Sequence, residues 1–425
     1  MGLIVELILI AIPFFFLLIA TEIYVDRKRK TGFYQWDDTI SSLNLGVMSR
    51  LVGVFKLILP FSAYVWLYQQ TALLSIALDS VLWWTVAFVV YDLGYYWVHR
   101  LSHRIHVMWG SHVVHHSSEE YNLTTALRQT GTPALFAWIV FLPMALLGVP
   151  PEMLLACGSL NLIYQFWVHT QHIDKMPPWF EAVFVTPSHH RVHHALNKDY
   201  IDKNYAGVFI LWDKLFNSFQ AEKNNVEIVY GVSHQLNSWN PLWANFQVYR
   251  NLLQDALYTR HWRDKIKTFL MPPGWRAADA KQGLPRKYAN SKSLQKYAVA
   301  QCKNQKIYVL TQFLLLIPMV FWFLLQLPYF APLISVGLGL FGIYHCWVIS
   351  VLQEHKTWQS LAEPLRLLGT GFIAYALLQP QVQHPVFVLI LAWIIASLFS
   401  FTWLLKQAKP AAVYDNPQAS HQSDV

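Results

Sequence analysis

The chain has 425 residues, of which 55% are hydrophobic and only 13% are charged, and its formal net charge is +8. Soluble globular proteins carry about 25% charged residues, so this composition argues against an ordinary soluble protein. No basic stretch is interleaved with aromatic residues, and we therefore attribute the positive charge to membrane topology and anionic lipid headgroups rather than to nucleic-acid binding.

The apolar residues fall into runs, most of which approach the roughly 20 residues that a helix needs to cross a bilayer. We therefore predict an all-α, polytopic membrane helix bundle. The predicted spans are 3–22, 44–67, 77–98, 133–149, 152–168, 307–327, 331–352, 366–379 and 386–405. The run 366–379 is short for a full crossing, and the pair 133–149 and 152–168 is also compatible with a re-entrant hairpin.

The first run is followed by Asp26 and then by the four basic residues 27–30. A cleavable signal peptide carries its positive charges before the apolar stretch, so we predict an uncleaved anchor. The positive charges place its C-terminal end in the cytoplasm. Counting crossings from there also places 99–132, 169–306 and the C-terminal tail on the cytoplasmic side.

These patterns divide the chain into five parts. We predict N-terminal membrane helices over 1–82, a histidine-rich catalytic domain over 83–220, a cytoplasmic segment and linker over 221–306, C-terminal membrane helices over 307–405, and a disordered tail over 406–425.

Histidine is concentrated in a few short stretches, and six of the eighteen copies lie between residues 99 and 116. Residues three or four apart on a helix share one face. The histidines with this spacing are His99 and His103; His112, His115 and His116; and His190, His193 and His194. Thr186 and Pro187 fit the N-cap and first residue of a helix that would carry the third cluster.

Neutral imidazoles are good ligands for iron, zinc or copper, and two or three on one helical face can reach the same ion. Three such faces can surround two ions, so we predict a two-metal site. The predicted ligands are His99, His103, His112, His115, His116, His169, His172, His190, His193 and His194. His106 is assigned a supporting or structural role, and the role of His189 stays open.

Asp92 lies seven residues before His99, two helical turns away on the same face. Metal-ligating histidines usually donate their other ring N–H to a carboxylate or carbonyl, and we propose Asp92 as such a partner. A hydrogen bond that serves only helix packing is the alternative. Tyr95, four residues before His99, is a second and weaker candidate.

The three clusters resemble the histidine boxes of the fatty acid hydroxylase and sterol desaturase superfamily of membrane di-iron oxygenases. The boxes read HRLSH at 99–103, HVVHH at 112–116 and HRVHH at 190–194, and NYAGVFILWDKLF at 204–216 is similar to the segment after the last box. Within the superfamily, HHSSEEYNLTTALRQT at 115–130 and TPSHHRVHH at 186–194 are most similar to the alkylglycerol monooxygenase family. That family carries a glutamate directly after the second histidine of the first box, where this chain has Arg104.

The resemblance implies two iron ions, O2 as a co-substrate and oxidation of a lipid C–H bond. For the alkylglycerol monooxygenases, it implies cleavage of a glyceryl ether through a hemiacetal to an aldehyde and glycerol, with tetrahydrobiopterin as the reductant. The sequence Gly337-Leu-Gly339-Leu-Phe-Gly342 matches GxGxxG but lies in an apolar run without a preceding strand, so it does not indicate a dinucleotide site. We expect electrons from a separate protein or from a diffusible reductant such as a pterin.

A polar run follows the second box and is either a solvated cap or the mouth of a pocket for a glycerol headgroup or a pterin. Its candidate pocket residues are Glu119, Glu120, Tyr121, Asn122 and Arg128.

Three other functions are compatible with parts of the pattern. A hydroxylase or desaturase of a fatty acyl, sterol or carotenoid lipid would use the same boxes. A histidine-rich metal transporter would place its ligands near the middle of the membrane, whereas these boxes fall at the ends of apolar runs. A membrane haem protein needs a pair of well-separated axial histidines rather than HxxHH groups.

Overall fold

The computed structural model describes residues 2–56, 58–132, 137–378 and 385–407. In these ranges the regular elements are helices, joined by loops that contain two isolated β-bridges. The α-helices are α1 Gly2–Arg29, α2 Trp36–Lys56, α3 Ile58–Thr71, α4 Val81–Arg104, α5 His106–His116, α6 Leu123–Ala126, α7 Leu142–Leu147, α8 Pro151–Trp167, α9 Pro178–Val183, α10 Pro187–His194, α11 Leu211–Leu215, α12 Pro241–Tyr258, α13 Trp262–Leu270, α14 Ala278–Gly283, α15 Lys303–Gln326, α16 Pro332–Gln353, α17 Gln359–Leu378 and α18 Pro385–Gln407. Short 3₁₀ helices cover Ala137–Phe141 and Leu327–Tyr329.

Four helices in the described ranges are long and apolar enough to cross a membrane. They are Val81–Arg104, Lys303–Tyr329, Pro332–Gln353 and Val388–Lys406. The all-α, multi-pass fold predicted from the apolar runs is therefore confirmed. The other predicted runs fall on α1, on α2 and α3, on the 3₁₀ helix with α7, on α8 and on α17. The tail expected to be disordered lies outside the described residues from residue 408 onward.

The spanning helix α4 carries the first histidine box at its C-terminal end. Ser80 caps the start of α4, and the helix continues through an apolar stretch to Arg104. Ile105 then adopts an extended conformation (φ −120°, ψ 119°), which ends α4 and starts α5 in a new direction. The first two boxes consequently face each other across a bend at the end of a membrane helix.

Several chain segments meet at this same level. Ser118, just after α5, donates a hydrogen bond to the Asp38 carboxylate near the start of α2 (2.6 Å). Gln353, the last residue of α16, donates to the carbonyl of Asp37 (3.1 Å). The end of α16, the start of α2 and the end of α5 therefore lie together, which places the histidine boxes at the edge of the helix bundle.

The segment 221–306, expected to be a cytoplasmic segment and linker, contains α12, α13 and α14. The buried carboxylate of Asp255 on α12 accepts hydrogen bonds from Arg276 and Arg286 at 2.7–3.0 Å. Because buried charges are costly unless they are paired, these two arginines fix the stretch after α13 onto α12. The boundaries of the five predicted parts stay a prediction.

Close packing of α2 depends on a glycine. A Cβ atom added to Gly46 would lie 2.5 Å from the carbonyl oxygen of Leu127, which follows α6. The same addition at Gly53, seven residues further along α2, would meet nothing within 4 Å. Gly46 thus allows α2 to contact the backbone of the segment after α6.

We expect Gly46→Ala to lower the unfolding temperature of the detergent-solubilised protein, because overpacking against a backbone oxygen costs about 1–3 kcal/mol. Gly53→Ala is the matched control, since alanine favours a helix over glycine by about 1 kcal/mol and has room here. Thermal unfolding followed by intrinsic fluorescence measures both. Equal effects of the two substitutions would contradict the packing argument.

Candidate metal centre

Nine of the ten histidines predicted as metal ligands lie together in two adjoining groups. Within each group, the atoms that could bind a metal are all within 4.8 Å of one another. The first group is His99, His103, His112, His116 and His193, and the second is His115, His169, His190 and His194. The rings of His116 and His194 stack at 4.3 Å between centroids, so the two groups touch.

The helices present the histidines as the spacing predicts. The first box occupies the last turns of α4, the second lies on α5, and the third makes up much of α10. The predicted N-cap is confirmed, since the Thr186 hydroxyl accepts from the His189 N–H and Pro187 is the first helical residue. His169 lies just beyond α8. Three short helical faces and one loop therefore point their imidazoles to one place.

The spacing between imidazole nitrogens matches that of ligands on shared ions. The Nε2 atoms of His99 and His112 are 2.9 Å apart. In the second group, the Nε2 atom of His169 lies 3.2 Å from that of His115 and 3.1 Å from that of His190. Two nitrogens bound to one ion at about 2.0–2.1 Å, in tetrahedral or octahedral geometry, are about 3.0–3.4 Å apart.

Backbone carbonyls determine which ring nitrogen is free to bind. The Nδ1 atoms lie within hydrogen-bonding distance of carbonyl oxygens as follows: His99 to Tyr205 (2.7 Å), His115 to Arg128 (3.1 Å), His169 to Gln165 (2.8 Å) and His193 to Lys203 (2.9 Å). An Nδ1–H that donates to a carbonyl leaves the lone pair on Nε2. The Nε2 lone pairs then face one another, and His103 Nε2 is buried without a hydrogen-bond partner among the described residues. This donor set fits metal ions.

Burial also keeps these imidazoles neutral. It lowers the pKa of His115 to about 4 and that of His193 to about 3. Burial, with further contributions from neighbouring imidazoles, lowers the pKa values of His112, His116 and His194 well below the ordinary range. Neutral imidazole is the form that binds a metal, so the site is prepared for one near pH 7. The assignment of the nine histidines as ligands stays a prediction.

The remaining histidines of the boxes and loops lie apart from the two groups. The Nε2 atom of His172 is 3.9 Å from the Asp26 carboxylate, and its ring lies beside Phe33. The structure therefore does not bring His172 to the other predicted ligands. His106, on the first turn of α5, and His189, whose ring faces away toward a phenylalanine, are also outside both groups.

Asp92 contacts the metal centre indirectly, through the loop that follows α10. Its carboxylate accepts from the backbone N–H groups of Val208 and Phe209 at 2.9 and 3.0 Å. These bonds hold the segment after α10, and that segment supplies the Tyr205 carbonyl to His99. The direct contact to an imidazole that the helical spacing suggested is replaced by a contact to the loop that positions the imidazole.

Tyr95 lies between the centre and α8. Its hydroxyl donates to Gln165 Oε1 at 2.7 Å, and its ring centroid is 5.4 Å from that of His99. Gln165 also provides the carbonyl to His169, so one residue serves both groups. Gln165 was not singled out from the sequence, although its position four residues before His169 is a signal that could have identified it.

The polar run after the second box ties elements together and does not line the apolar cavity described below. The Glu119 carboxylate accepts from the Tyr297 N–H (2.6 Å), and the Glu120 carboxylate pairs with Lys296 (2.7 Å). Asn122 caps α6. The Arg128 guanidinium donates to the Val114 carbonyl and to serine hydroxyls on α2 and after α5. The Tyr121 ring lies beside the metal centre, 5.6 Å from that of His169.

A mostly apolar cavity of about 280 Å³ leads to the histidines from within the helix bundle. At its inner end are His112, His115 and His169, with Tyr95 and Gln165 beside them. The apolar walls include Ile12, Phe15 and Phe16 of α1 and Val320, Phe321 and Leu324 of α15. No short motif identifies these residues in the sequence, because helices that are about three hundred residues apart must pack together to form the cavity.

The histidine boxes lie in a part of the chain that is similar to known proteins. Residues 84–218 match the family model described as fatty acid hydroxylase. The chain is 36% identical to the alkylglycerol monooxygenase of Homo sapiens over 311 residues, which is 72% of this chain and 68% of that protein. It is 39% identical to the alkylglycerol monooxygenase of Danio rerio over 62% of this chain and 59% of that protein.

A more distant relative is the ornithine lipid hydroxylase OlsE of Rhizobium tropici, with 28% identity over 32% of this chain and 43% of that protein. No solved structure matches the chain.

We expect His193→Ala to remove the ion of the first group and His115→Ala the ion of the second. Each variant should bind about one metal ion per chain where we expect two in the unaltered protein, because losing a ligand from a closed imidazole set weakens binding steeply. Elemental analysis of the purified protein measures the content.

His172→Ala is the control for this prediction, since the structure places that ring with Asp26 and away from both groups. Loss of metal in the His172 variant, or full metal content in either of the other two, would contradict the two-group arrangement.

Proposed function

This chain belongs to the alkylglycerol monooxygenase family, and from that premise we propose that it is an integral membrane monooxygenase that cleaves glyceryl ether lipids. One oxygen atom of O2 would be inserted into the C–H bond next to the ether oxygen. The resulting hemiacetal separates into a fatty aldehyde and glycerol.

The observation that carries this proposal is the apolar cavity that ends at the histidines. Its walls come from the apolar helices α1 and α15 on two sides, so an alkyl chain can enter without crossing water. Apolar pockets with a few polar groups at one end are typical of sites that bind and orient such ligands. Arg50, Ser111 and Gln129 also line the cavity, and we assign them to the glycerol hydroxyls.

The nine grouped histidines would hold two iron ions, one in each group. Iron at these positions would supply the activation of O2, which is chemistry that side chains alone do not provide. The protein positions the lipid and excludes water from its reacting carbon. The walls from α1 and α15 exclude water from the reacting carbon, and Tyr95 with Gln165 keeps α4 and α8 in register beside it.

Electrons come from a donor outside this chain, either tetrahydrobiopterin or another reductant. The histidine centre faces the cytoplasm in this proposal, because the basic residues at the C-terminal end of α1 favour that side.

The test is incubation of the iron-loaded, purified protein with an alkylglycerol, O2 and tetrahydrobiopterin, followed by measurement of fatty aldehyde. We expect aldehyde and glycerol in equal amounts. A hydroxylated acyl lipid or sterol in place of aldehyde would instead favour a lipid hydroxylase, and absence of any oxidised lipid would contradict the proposal.

Narrowing the cavity tests its role directly. Val320→Trp fills space on the cavity side of α15, so we expect about tenfold lower kcat/KM for long-chain substrate with unchanged metal content, roughly the effect of losing 1–2 kcal/mol of substrate binding. Leu314→Trp is the matched control, since Leu314 lies on the same helix and is half exposed. Equal activity of the two variants would argue that the lipid enters elsewhere.

A further inference from the structure

A buried carboxylate on α1 has no part in the chemistry described so far. Glu22 ends the apolar run 3–22, and only 6% of the residue is exposed. Ionisable residues in such runs are rare and mark functional sites when they have defined partners. The partners of Glu22 are three neutral donors, namely the Tyr34 hydroxyl, the Leu123 N–H (2.8 Å) and the Thr170 hydroxyl.

Thr170 directly follows His169 and is bonded on two sides. Its hydroxyl donates to Glu22, and its carbonyl accepts from the Arg191 guanidinium at 3.1 Å. Arg191 directly follows His190 on α10. The buried loop at Thr170 is therefore held between α1 and α10, next to two histidines whose Nε2 atoms lie 3.1 Å apart.

His169 is the member of the second group that lies outside a helix. His115, His190 and His194 belong to α5 and α10, whereas His169 lies in the loop after α8. The Gln165 carbonyl, 2.8 Å from His169 Nδ1, orients the ring. The position of the backbone that carries the ring depends on the loop itself, and the bonds of the next residue hold that loop.

The face of α1 that carries this carboxylate also forms a wall of the apolar cavity. Phe15, Ile19 and Glu22 are spaced four and three residues apart and are all buried, so they share one face of the helix. Phe15 lines the cavity and stacks on Phe166 of α8 at 4.1 Å between ring centroids. One helix thus contacts the space assigned to the alkyl chain and, through Glu22, the loop of His169.

We propose that Glu22 is a positioning residue for the metal centre. By accepting a hydrogen bond from the Thr170 hydroxyl, it holds His169 at the ion of the second group and fixes that ion relative to the α1 wall of the cavity. This proposal rests on the two-ion centre of the proposed function. Residues that orient metal ligands typically contribute about 10- to 100-fold to metal affinity, and oxidation of one particular C–H bond requires a fixed geometry between ion and lipid.

Anaerobic titration with ferrous iron, in competition with a chelator of known affinity, measures each group when the other is disabled. His193→Ala leaves the second group to bind iron, and His115→Ala leaves the first. In the His193→Ala background, we expect Glu22→Leu to weaken iron binding about tenfold. In the His115→Ala background, it should leave iron binding unchanged, because the contact of Glu22 with Thr170 leads to the second group.

Two further variants keep the test independent of folding, since Glu22→Leu also leaves the Tyr34 and Leu123 donors unpaired. Thr170→Val replaces the hydroxyl with a methyl group and should weaken iron binding to the same extent in the His193→Ala background. Glu22→Gln should retain most of the affinity, because an amide both accepts and donates hydrogen bonds to the same partners.

Asp26→Leu is the matched control. Asp26 lies one turn further along α1 and is 7% exposed, so its burial equals that of Glu22. Its carboxylate accepts from the Thr31 hydroxyl (2.7 Å) and the Phe33 N–H (2.8 Å) rather than from Thr170. Iron affinity should therefore be unchanged in both backgrounds.

Equal weakening in both backgrounds, equal effects of Glu22→Leu and Asp26→Leu, or full affinity in the Thr170→Val variant would overturn the role of Glu22. Failure of either background variant to bind iron would overturn the two-ion centre and this role with it. If iron binding follows the expected pattern but the unaltered protein forms no fatty aldehyde, the proposed function fails while the role of Glu22 at the metal centre stands.

Discussion

The close approach of uncharged imidazole nitrogens is the constraint that the rest of the structure serves. Neighbouring Nε2 atoms stand 2.9–3.2 Å apart. For His115 and His169, the carbonyl contacts of Nδ1 leave a lone pair on each of the facing Nε2 atoms. Nothing in such an arrangement is attractive until a cation occupies it, so the surrounding protein must hold the rings in place. It does so with backbone carbonyls at Arg128, Gln165, Lys203 and Tyr205.

The sequence could predict which histidines share a helical face, but it could not predict the backbone carbonyls that hold their rings. The i, i+3, i+4 spacing identifies which imidazoles share a face, because helix geometry is local. A carbonyl has no side-chain signature, and the loop that presents it depends on distant partners such as Asp92. The sequence singled out Asp92 as a partner of an imidazole, but helical periodicity could not reveal that its carboxylate bonds to the backbone at 208–209.

The two weaker sequence predictions depended on nearness along the chain. His172 is three residues from His169, yet a turn after α8 directs it to Asp26. The run 119–128 adjoins the second box, but its charged groups meet partners from α2 and from residues 296–297. The walls of the apolar cavity could not be predicted from nearness along the chain, because they come from helices that are about three hundred residues apart. The C-terminal helices, which the sequence presents as a separate part, thus form one wall of the site through α15.

A centre at the membrane edge is the arrangement that the proposed chemistry needs. The lipid must arrive through a dry, apolar path, whereas electrons and protons must arrive from water. The apolar cavity touches His112 of the first group and His115 and His169 of the second group. The stacked rings of His116 and His194 join the two groups over 4.3 Å. Because the two groups touch, electrons delivered to either group would reach the cavity side through packed imidazoles, and the apolar walls keep water from the reacting carbon.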